Sequence, residues 1–194
     1  MTGSGKVKRA AKRRRRRPYR QGDLDGLCGL YSTVNAMRVL CPEVDTEAAV
    51  ALFATLMQAL NGAGAAAADV VTGGVCRDQL ARLVRQAIAH MADEHDIRLT
   101  LTRLPNDLRK RTDLPGLWGW LRQMVSPSCV ALIGLGGRHS HWTVAVAVTP
   151  QQIRLFDSGH MGVLRRSQCT VGRAVDRHAL PPAQIFLIRR RTAP

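Results

Sequence analysis

Residues 21–37 have the sequence QGDLDGLCGLYSTVNAM, in which a loop rich in glycine and aspartate runs directly into a helical pattern. The apolar positions follow helical spacing and form one face, at Leu27, Leu30, Tyr31, Val34, Met37 and Cys41. Cys28 therefore belongs to the first turn of a helix that is buried along one side. At a helix N-terminus, the free N–H groups and the macrodipole favour a thiolate. We interpret Cys28 as a candidate nucleophile.

The composition of the chain indicates one folded domain preceded by a basic tail. The 194 residues are 45% hydrophobic, which is enough for a substantial core. The net charge of +15 is concentrated in residues 6–20, which hold ten Lys or Arg and no acid and leave 19 basic against 14 acidic residues elsewhere. We predict a disordered basic tail over residues 1–18 and one domain over residues 19–194. Within the domain, we predict a helical part over residues 19–127 and a sheet part over residues 128–194.

The basic tail is a candidate binding segment for a nucleic acid or an acidic partner through residues 6–20, with a solvated solubility tail as the alternative. Aromatic residues do not interleave with its charges, so the run does not indicate base stacking. No apolar segment typical of a signal peptide follows it, and no stretch of about 18 apolar residues predicts a membrane span. The five cysteines lack a disulfide spacing. We expect a cytoplasmic protein or a secreted effector, without a membrane partner.

The pattern of apolar residues and turn residues places helices first and strands second. Helices are predicted over residues 27–39, 46–60, 77–92 and 114–124, with residues 62–69 as a linker of small residues. Strands are predicted over residues 97–102, 129–135, 142–148, 153–156 and 184–189. This order favours an α+β fold over alternating βαβ units.

A cysteine nucleophile needs a base and a group that orients the base. His141 precedes a predicted strand, and Asp157 ends the next strand, 16 residues later. A two-residue loop at Pro150-Gln151 would direct Asp157 to the opposite face of the sheet, whereas a three-residue loop or a bulge would bring it to the face of His141. His139 has the same parity but lies two residues further from Asp157. We predict His141 as the base and Asp157 as the orienting acid, which requires the odd loop or the bulge.

Gln21 is the fourth candidate site residue, seven positions before Cys28 on the loop that leads into the helix. Its amide group and the backbone N–H of Cys28 could together hold the oxyanion of a tetrahedral intermediate. The alternative interpretation is a surface glutamine. The remaining cysteines are interpreted as packing residues, at Cys41, Cys76, Cys129 and Cys169.

A metal site is a further alternative that the sequence raises. Its ligands would be His139, His141, His160 and Cys169. Their spacing matches no closed tetrahedral pattern, so we expect no metal site.

The order Gln21, Cys28, His141, Asp157 resembles the papain-like cysteine peptidases, and most closely the bacterial branch that includes the bacteriocin-processing peptidases of export transporters. In that branch a glutamine precedes a Cys-Gly pair that opens a helix, a histidine lies on a strand, and an aspartate ends the next strand. Residues 19–40 and 128–159 carry the resemblance, and residues 41–127 carry little. The glutamine usually lies six residues before the cysteine, whereas here the separation is seven.

The resemblance implies a papain-like α+β fold, with an N-terminal helical part packed on a C-terminal antiparallel sheet. It also implies thiol-dependent acyl transfer without a metal or an organic cofactor, with Cys28 as nucleophile, His141 as base, Asp157 fixing its tautomer and Gln21 stabilising the oxyanion. We expect a peptidase or isopeptidase that acts on a protein or peptide. Two alternatives stay open: an acyltransferase or glutamine deamidase that uses the same thioester, and an inactive papain-like fold that binds a polyanion through its tail.

Overall fold

A computed structural model describes residues 16–22, 25–61, 67–111 and 113–191 as a mixed α+β fold built on an antiparallel sheet. The helices are α1 (Cys28–Leu40), α2 (Thr46–Asn61), α3 (Ala67–Gly73), α4 (Arg77–His95), α5 (Asn106–Arg111) and α6 (Leu114–Met124). The strands are β1 (Leu99–Arg103), β2 (Cys129–Gly137), β3 (His141–Val148), β4 (Gln152–Leu155), β5 (Val163–Arg165), β6 (Cys169–Thr170), β7 (His178–Ala179) and β8 (Ile185–Arg190).

The main sheet has the strand order β1-β8-β2-β3-β4-β5, and every neighbouring pair in it is antiparallel. The short strand β7 continues the pairing at the end of β2 and lies parallel to β6. The edge strand β1 comes from the predicted helical part of the chain and pairs with the last strand, β8. The two parts predicted from the sequence therefore share one sheet.

Both faces of the sheet are covered by helices. On one face, α1 packs against β2, β3 and β8, and α2 and α4 pack against α1, so that their apolar residues form one cluster with Leu132, Val144 and Phe186. On the other face, Trp118 of α6 packs against Ile133. Strand β2 is consequently buried on both sides, in agreement with its continuous apolar sequence.

Helix α1 lies at the centre of the helical layer, and ten of its thirteen residues are buried. Its buried polar side chains are therefore hydrogen-bonded rather than exposed to water. Ser32 Oγ donates to the carbonyl of Trp142 at 2.7 Å, which ties α1 to β3. The side-chain amide of Asn35 binds both the N–H and the carbonyl of Tyr19, at 2.8 and 2.9 Å. These bonds fix the segment that leads toward the loop before α1.

The segment Arg16, Arg17 and Pro18 differs from its prediction as part of a disordered tail, because the structure describes it against the folded body. The guanidinium of Arg16 donates to four backbone carbonyl groups at and just beyond the C-terminus of α1, those of Arg38, Cys41, Pro42 and Val44. Carbonyl groups at a helix C-terminus lack helical partners and attract a cation, which explains the docking. The rest of the predicted tail, residues 1–15, lies outside the described residues.

Two short helices were not predicted from the sequence. Helix α3 forms in part of the small-residue segment predicted as a linker, whose residues 62–66 lie outside the described residues. Helix α5 has six residues and no apolar periodicity. Among the helices of the described part of the chain, none has the length and apolar character needed to cross a membrane.

Candidate active site

Cys28 is the first residue of α1. The residue at the N-cap position, Leu27, makes no side-chain hydrogen bond to the start of the helix. The N–H of Leu27 itself is bound by Asp25 Oδ1 at 3.1 Å. The free N–H groups of the first helical turn therefore favour negative charge at the Cys28 sulfur. The residue is only 9% exposed, and its Sγ accepts a long hydrogen bond of 3.5 Å from the backbone N–H of Trp142.

Two glycines allow the start of α1 to approach the segment between α3 and α4 closely. A Cβ on Gly29 would lie 2.2 Å from Val75 Cγ2, and a Cβ on Gly26 would lie 2.8 Å from the backbone nitrogen of Gly74. A larger residue at Gly26 would push the two backbones apart, and one at Gly29 would displace the Val75 side chain, because real Cβ atoms do not approach so closely. The two glycines therefore allow close packing at the wall of the cleft that Gly26, Gly74 and Val75 line.

The hairpin of β3 and β4 combines a two-residue loop with a β-bulge. Next to the loop, Val148 pairs with Ile153 and Ala147 with Arg154, a register that would place Val144 opposite Asp157. An extra residue, Val146, then shifts the pairing so that Ala145 lies opposite Leu155. Continued beyond β4, the shifted register turns Asp157 to the face of His141. The bulge thus supplies the change of parity that the sequence required.

Asp157 and His141 meet as predicted, with 2.7 Å between His141 Nε2 and Asp157 Oδ1. The second carboxylate oxygen of Asp157 accepts the backbone N–H groups of Gly159 at 2.7 Å and Met161 at 3.0 Å. The carboxylate is 2% exposed and the imidazole 13% exposed. Asp157 is therefore buried and held in place, while one edge of the His141 imidazole reaches the cleft. Because Nε2 is hydrogen-bonded to Asp157, Nδ1 is the ring nitrogen that can exchange a proton with Cys28.

His141 and Asp157 each shift the pKa of the other in the direction that favours its charged form. Burial alone would lower the pKa of His141, but its hydrogen bonds with Asp157 and Cys28 and their negative charges raise it to about 9. Burial alone would raise the pKa of Asp157, but the hydrogen bond from His141 holds it below its ordinary value. At neutral pH the site therefore contains an imidazolium between a carboxylate and the sulfur of Cys28.

Gln21 lines the same cleft as Cys28 and His141, as predicted, but its side chain is bonded within the loop. Its Nε2 donates to the carbonyl of Asp25 at 3.3 Å, and its Oε1 accepts from Ser158 Oγ at 3.3 Å. In this arrangement Gln21 connects the loop before α1 to the segment after Asp157. Its role as an oxyanion donor stays a prediction.

The cleft has a volume of about 490 Å³. Its walls come from the loop before α1, the segment between α3 and α4, and the ends of β2 and β3. Trp142 holds two of these walls together, because its indole Nε1 donates to the carbonyl of Val75 at 3.0 Å. Trp142 and Gln184 also line the cleft, although neither was predicted as a site residue from the sequence. The position of Trp142 directly after His141 was a usable signal, whereas nothing in the sequence indicated Gln184.

The residues considered for a metal site have separate partners. His160 Nδ1 lies 2.7 Å from Arg20 Nη1, His139 stacks on His178, and Cys169 Sγ donates to the carbonyl of Arg165. Within the described ranges, no group of three or more His, Cys, Asp or Glu side chains has an arrangement that could hold a metal ion.

No protein-family model matches the chain, and no curated protein matches it significantly. Any activity is therefore proposed from the residues of the cleft and their geometry.

Proposed function

We propose that the chain is a papain-like cysteine peptidase or isopeptidase in which Cys28, His141 and Asp157 form a catalytic triad. The observation that carries the proposal is the His141–Asp157 hydrogen bond of 2.7 Å beside a cysteine at an uncapped helix N-terminus. A nucleophile, a base and an orienting acid in hydrogen-bond contact are what covalent acyl transfer requires. A buried packing cysteine has no need of an imidazolium partner.

In the first half of the reaction, the sulfur of Cys28 attacks the carbonyl carbon of the scissile amide and forms a C–S bond. The carbonyl oxygen becomes an oxyanion, which would be bound by the backbone N–H of Cys28 and by the amide of Gln21, whose Nε2 donates to the carbonyl of Asp25 in the structure. The imidazolium of His141 then transfers its proton to the amide nitrogen. The C–N bond breaks, the amine leaves, and a thioester on Cys28 remains.

In the second half, water resolves the thioester. Neutral His141 removes a proton from the water, and the oxygen attacks the thioester carbonyl. The C–S bond breaks and releases a carboxylic acid, while the sulfur and His141 return to their starting charges. Asp157 holds Nε2 throughout, so that Nδ1 faces the reacting atoms in both halves.

Replacement of Cys28 tests the proposal, with Cys76 as the matched control. Cys28→Ala removes the nucleophile and should lower hydrolysis of a proteome-derived peptide mixture by about 10⁴-fold or more. Cys76→Ala removes an exposed thiol that lines the same cleft and should leave hydrolysis nearly unchanged. Mass spectrometry of the new termini gives the rates.

Two results would contradict the proposed hydrolysis. Equal cleavage by the wild type and Cys28→Ala would exclude Cys28 as the nucleophile. Release of ammonia from glutamine side chains, dependent on Cys28 and without new termini, would assign deamidation in place of peptide cleavage.

A further inference from the structure

A basic groove lies near the C-terminal end of α1, outside the candidate active site. We define it by Arg17, Arg38 and Arg154 on its rim and Val146 and Phe156 on its floor. No Asp or Glu lines it, and its volume is about 1220 Å³. Three segments that are distant in sequence therefore bring positive charge to one apolar surface.

The arginines of the basic groove have no acidic partner within the described part of the chain, where the ion pairs involve other residues. Glu43, a carboxylate near the adjacent Arg16, is held by Arg190 through two bonds of 2.8 and 2.9 Å. Within the described ranges, the Nε and Nη1 atoms of Arg38 are buried without a hydrogen-bond partner, and its guanidinium lies over the Tyr19 ring, 4.3 Å from the ring centroid. The exposed Arg17 and Arg154, with the half-buried Arg38 beside them, therefore offer positive charge to an anionic ligand.

The size and lining of the basic groove favour an extended ligand with an apolar side. Its volume exceeds the roughly 300–1000 Å³ of most small-molecule sites. Phe156 is half-buried on the floor and offers part of its ring to a ligand. In the sequence, seven further basic residues precede Arg16, namely Lys6, Lys8, Arg9, Lys12, Arg13, Arg14 and Arg15. Positive charge beside a partly exposed aromatic ring is the combination that binds single strands.

We propose that the basic groove binds single-stranded nucleic acid, with phosphates on Arg17, Arg38 and Arg154 and a base or sugar against Phe156. The proposal is independent of the thiol chemistry, because the groove and the cleft share no lining residue. Cys28→Ala should bind the strand as tightly as the wild type.

The test measures binding of the full chain to a fluorescent oligothymidylate by anisotropy over a series of salt concentrations. The double variant Arg17→Gln/Arg154→Gln removes two exposed rim charges. Each lost phosphate contact lowers the slope of log K against log salt by about 0.7, so we expect a slope smaller by about 1.4. The same relation gives binding weaker by about 25-fold at 0.1 M salt.

The matched control is Arg122→Gln/Arg173→Gln, which removes two exposed arginines that do not line the groove. It should keep the wild-type slope, and equal thermal melting of both double variants shows that the fold is intact. Equal loss of binding in the two double variants, or no loss in either, would assign binding to the tail alone and overturn the proposal. Tighter binding of a duplex, or equal competition by polyglutamate, would overturn it as well.

Discussion

The two ends of α1 are treated in opposite ways. At the N-terminus, Leu27 provides no side-chain cap, and the first turn carries Cys28 and no acidic residue. At the C-terminus, the guanidinium of Arg16 binds four carbonyl groups. One end of the helix dipole is thus left open beside a cleft, and the other is closed by a cation from outside the helix.

The open N-terminus of α1 lowers stability but serves the proposed chemistry, whereas the closed C-terminus raises stability. A missing N-cap costs about 1 kcal/mol of stability, and it leaves N–H groups free to stabilise negative charge at Cys28 and at a developing oxyanion. A cation on the C-terminal carbonyl groups contributes stability and has no part in the chemistry. Changes at the open end should therefore reduce activity, whereas changes at the closed end should reduce stability.

Deletion of Phe156 should have the largest effect on the open end. Without this residue, Asp157 takes the position directly after Leu155, opposite Val144, and turns away from His141. We expect activity to fall by about 10⁴-fold and the pKa of His141 to drop from about 9. Kinetics and NMR titration of the His141 imidazole measure the two effects.

Phe156→Ala is the control for this deletion, because it removes the same ring but keeps the length of the segment and hence the register. It should retain most of the activity. Circular dichroism and thermal melting show whether the deletion variant still folds. A folded deletion variant with wild-type activity would contradict the role assigned to the register of Asp157 and His141.

Asp157→Asn should have an intermediate effect, because an amide still orients His141 but carries no charge. We expect kcat/KM to fall by about 100-fold. In the wild type, kcat/KM should decline above about pH 9, where His141 loses the proton that it gives to the leaving amine. Loss of the carboxylate lowers the pKa of His141, so this alkaline limb should move to lower pH. A limb that stays near pH 9 in the variant would contradict the assignment.

The same raised pKa links stability to pH. The pKa of His141 is about 6.5 in the unfolded chain and about 9 in the fold. The protonated imidazole therefore stabilises the fold fully below about pH 6.5. The free energy of unfolding should decrease as pH rises from about 6.5 through 9. Urea denaturation over this range measures the decrease, which should be smaller in Asp157→Asn. Equal decreases in the two proteins would show that this ion pair is not its source.

Arg16→Gln should have the smallest effect, confined to the closed end of α1. Loss of the guanidinium leaves carbonyl groups of the helix C-terminus to water, and we expect destabilisation by about 1 kcal/mol with little change in activity. The neighbouring exposed Arg17 does not cap α1, so Arg17→Gln should leave stability unchanged. Urea denaturation of both variants tests this difference. Equal stability of the two variants would contradict the assignment of Arg16 as the cap of α1.

Much of the fold was predictable because burial follows periodicity. The helical spacing of Leu30, Val34 and Met37 predicted the buried face of α1, and all three are buried. The alanine- and glycine-rich sequence around α3 has no apolar periodicity, so tertiary contact rather than pattern determines that helix. The docking of Arg16 was missed because a run of arginines looks the same whether it is solvated or bound to carbonyl groups.

The candidate site was predictable up to one residue of register. Chain order and spacing brought together Cys28, His141 and Asp157, but they left the parity of the hairpin open. Ala145, Val146 and Ala147 all suit a strand, so nothing in their side chains marks Val146 as the extra residue. The hydrogen bonds of Gln21 with Asp25 and Ser158 depend on the folded loop and have no local signal.

The most direct test of a reactive sulfur at the open end of α1 is the rate of iodoacetamide alkylation of each cysteine at neutral pH, followed by mass spectrometry. Cys28 is 9% exposed whereas Cys76 is exposed, so accessibility alone predicts faster labelling of Cys76. We expect Cys28 to be alkylated fastest, and His141→Ala to lower the alkylation rate of Cys28 alone. Faster labelling of Cys76, with a Cys28 rate that does not respond to His141→Ala, would contradict it.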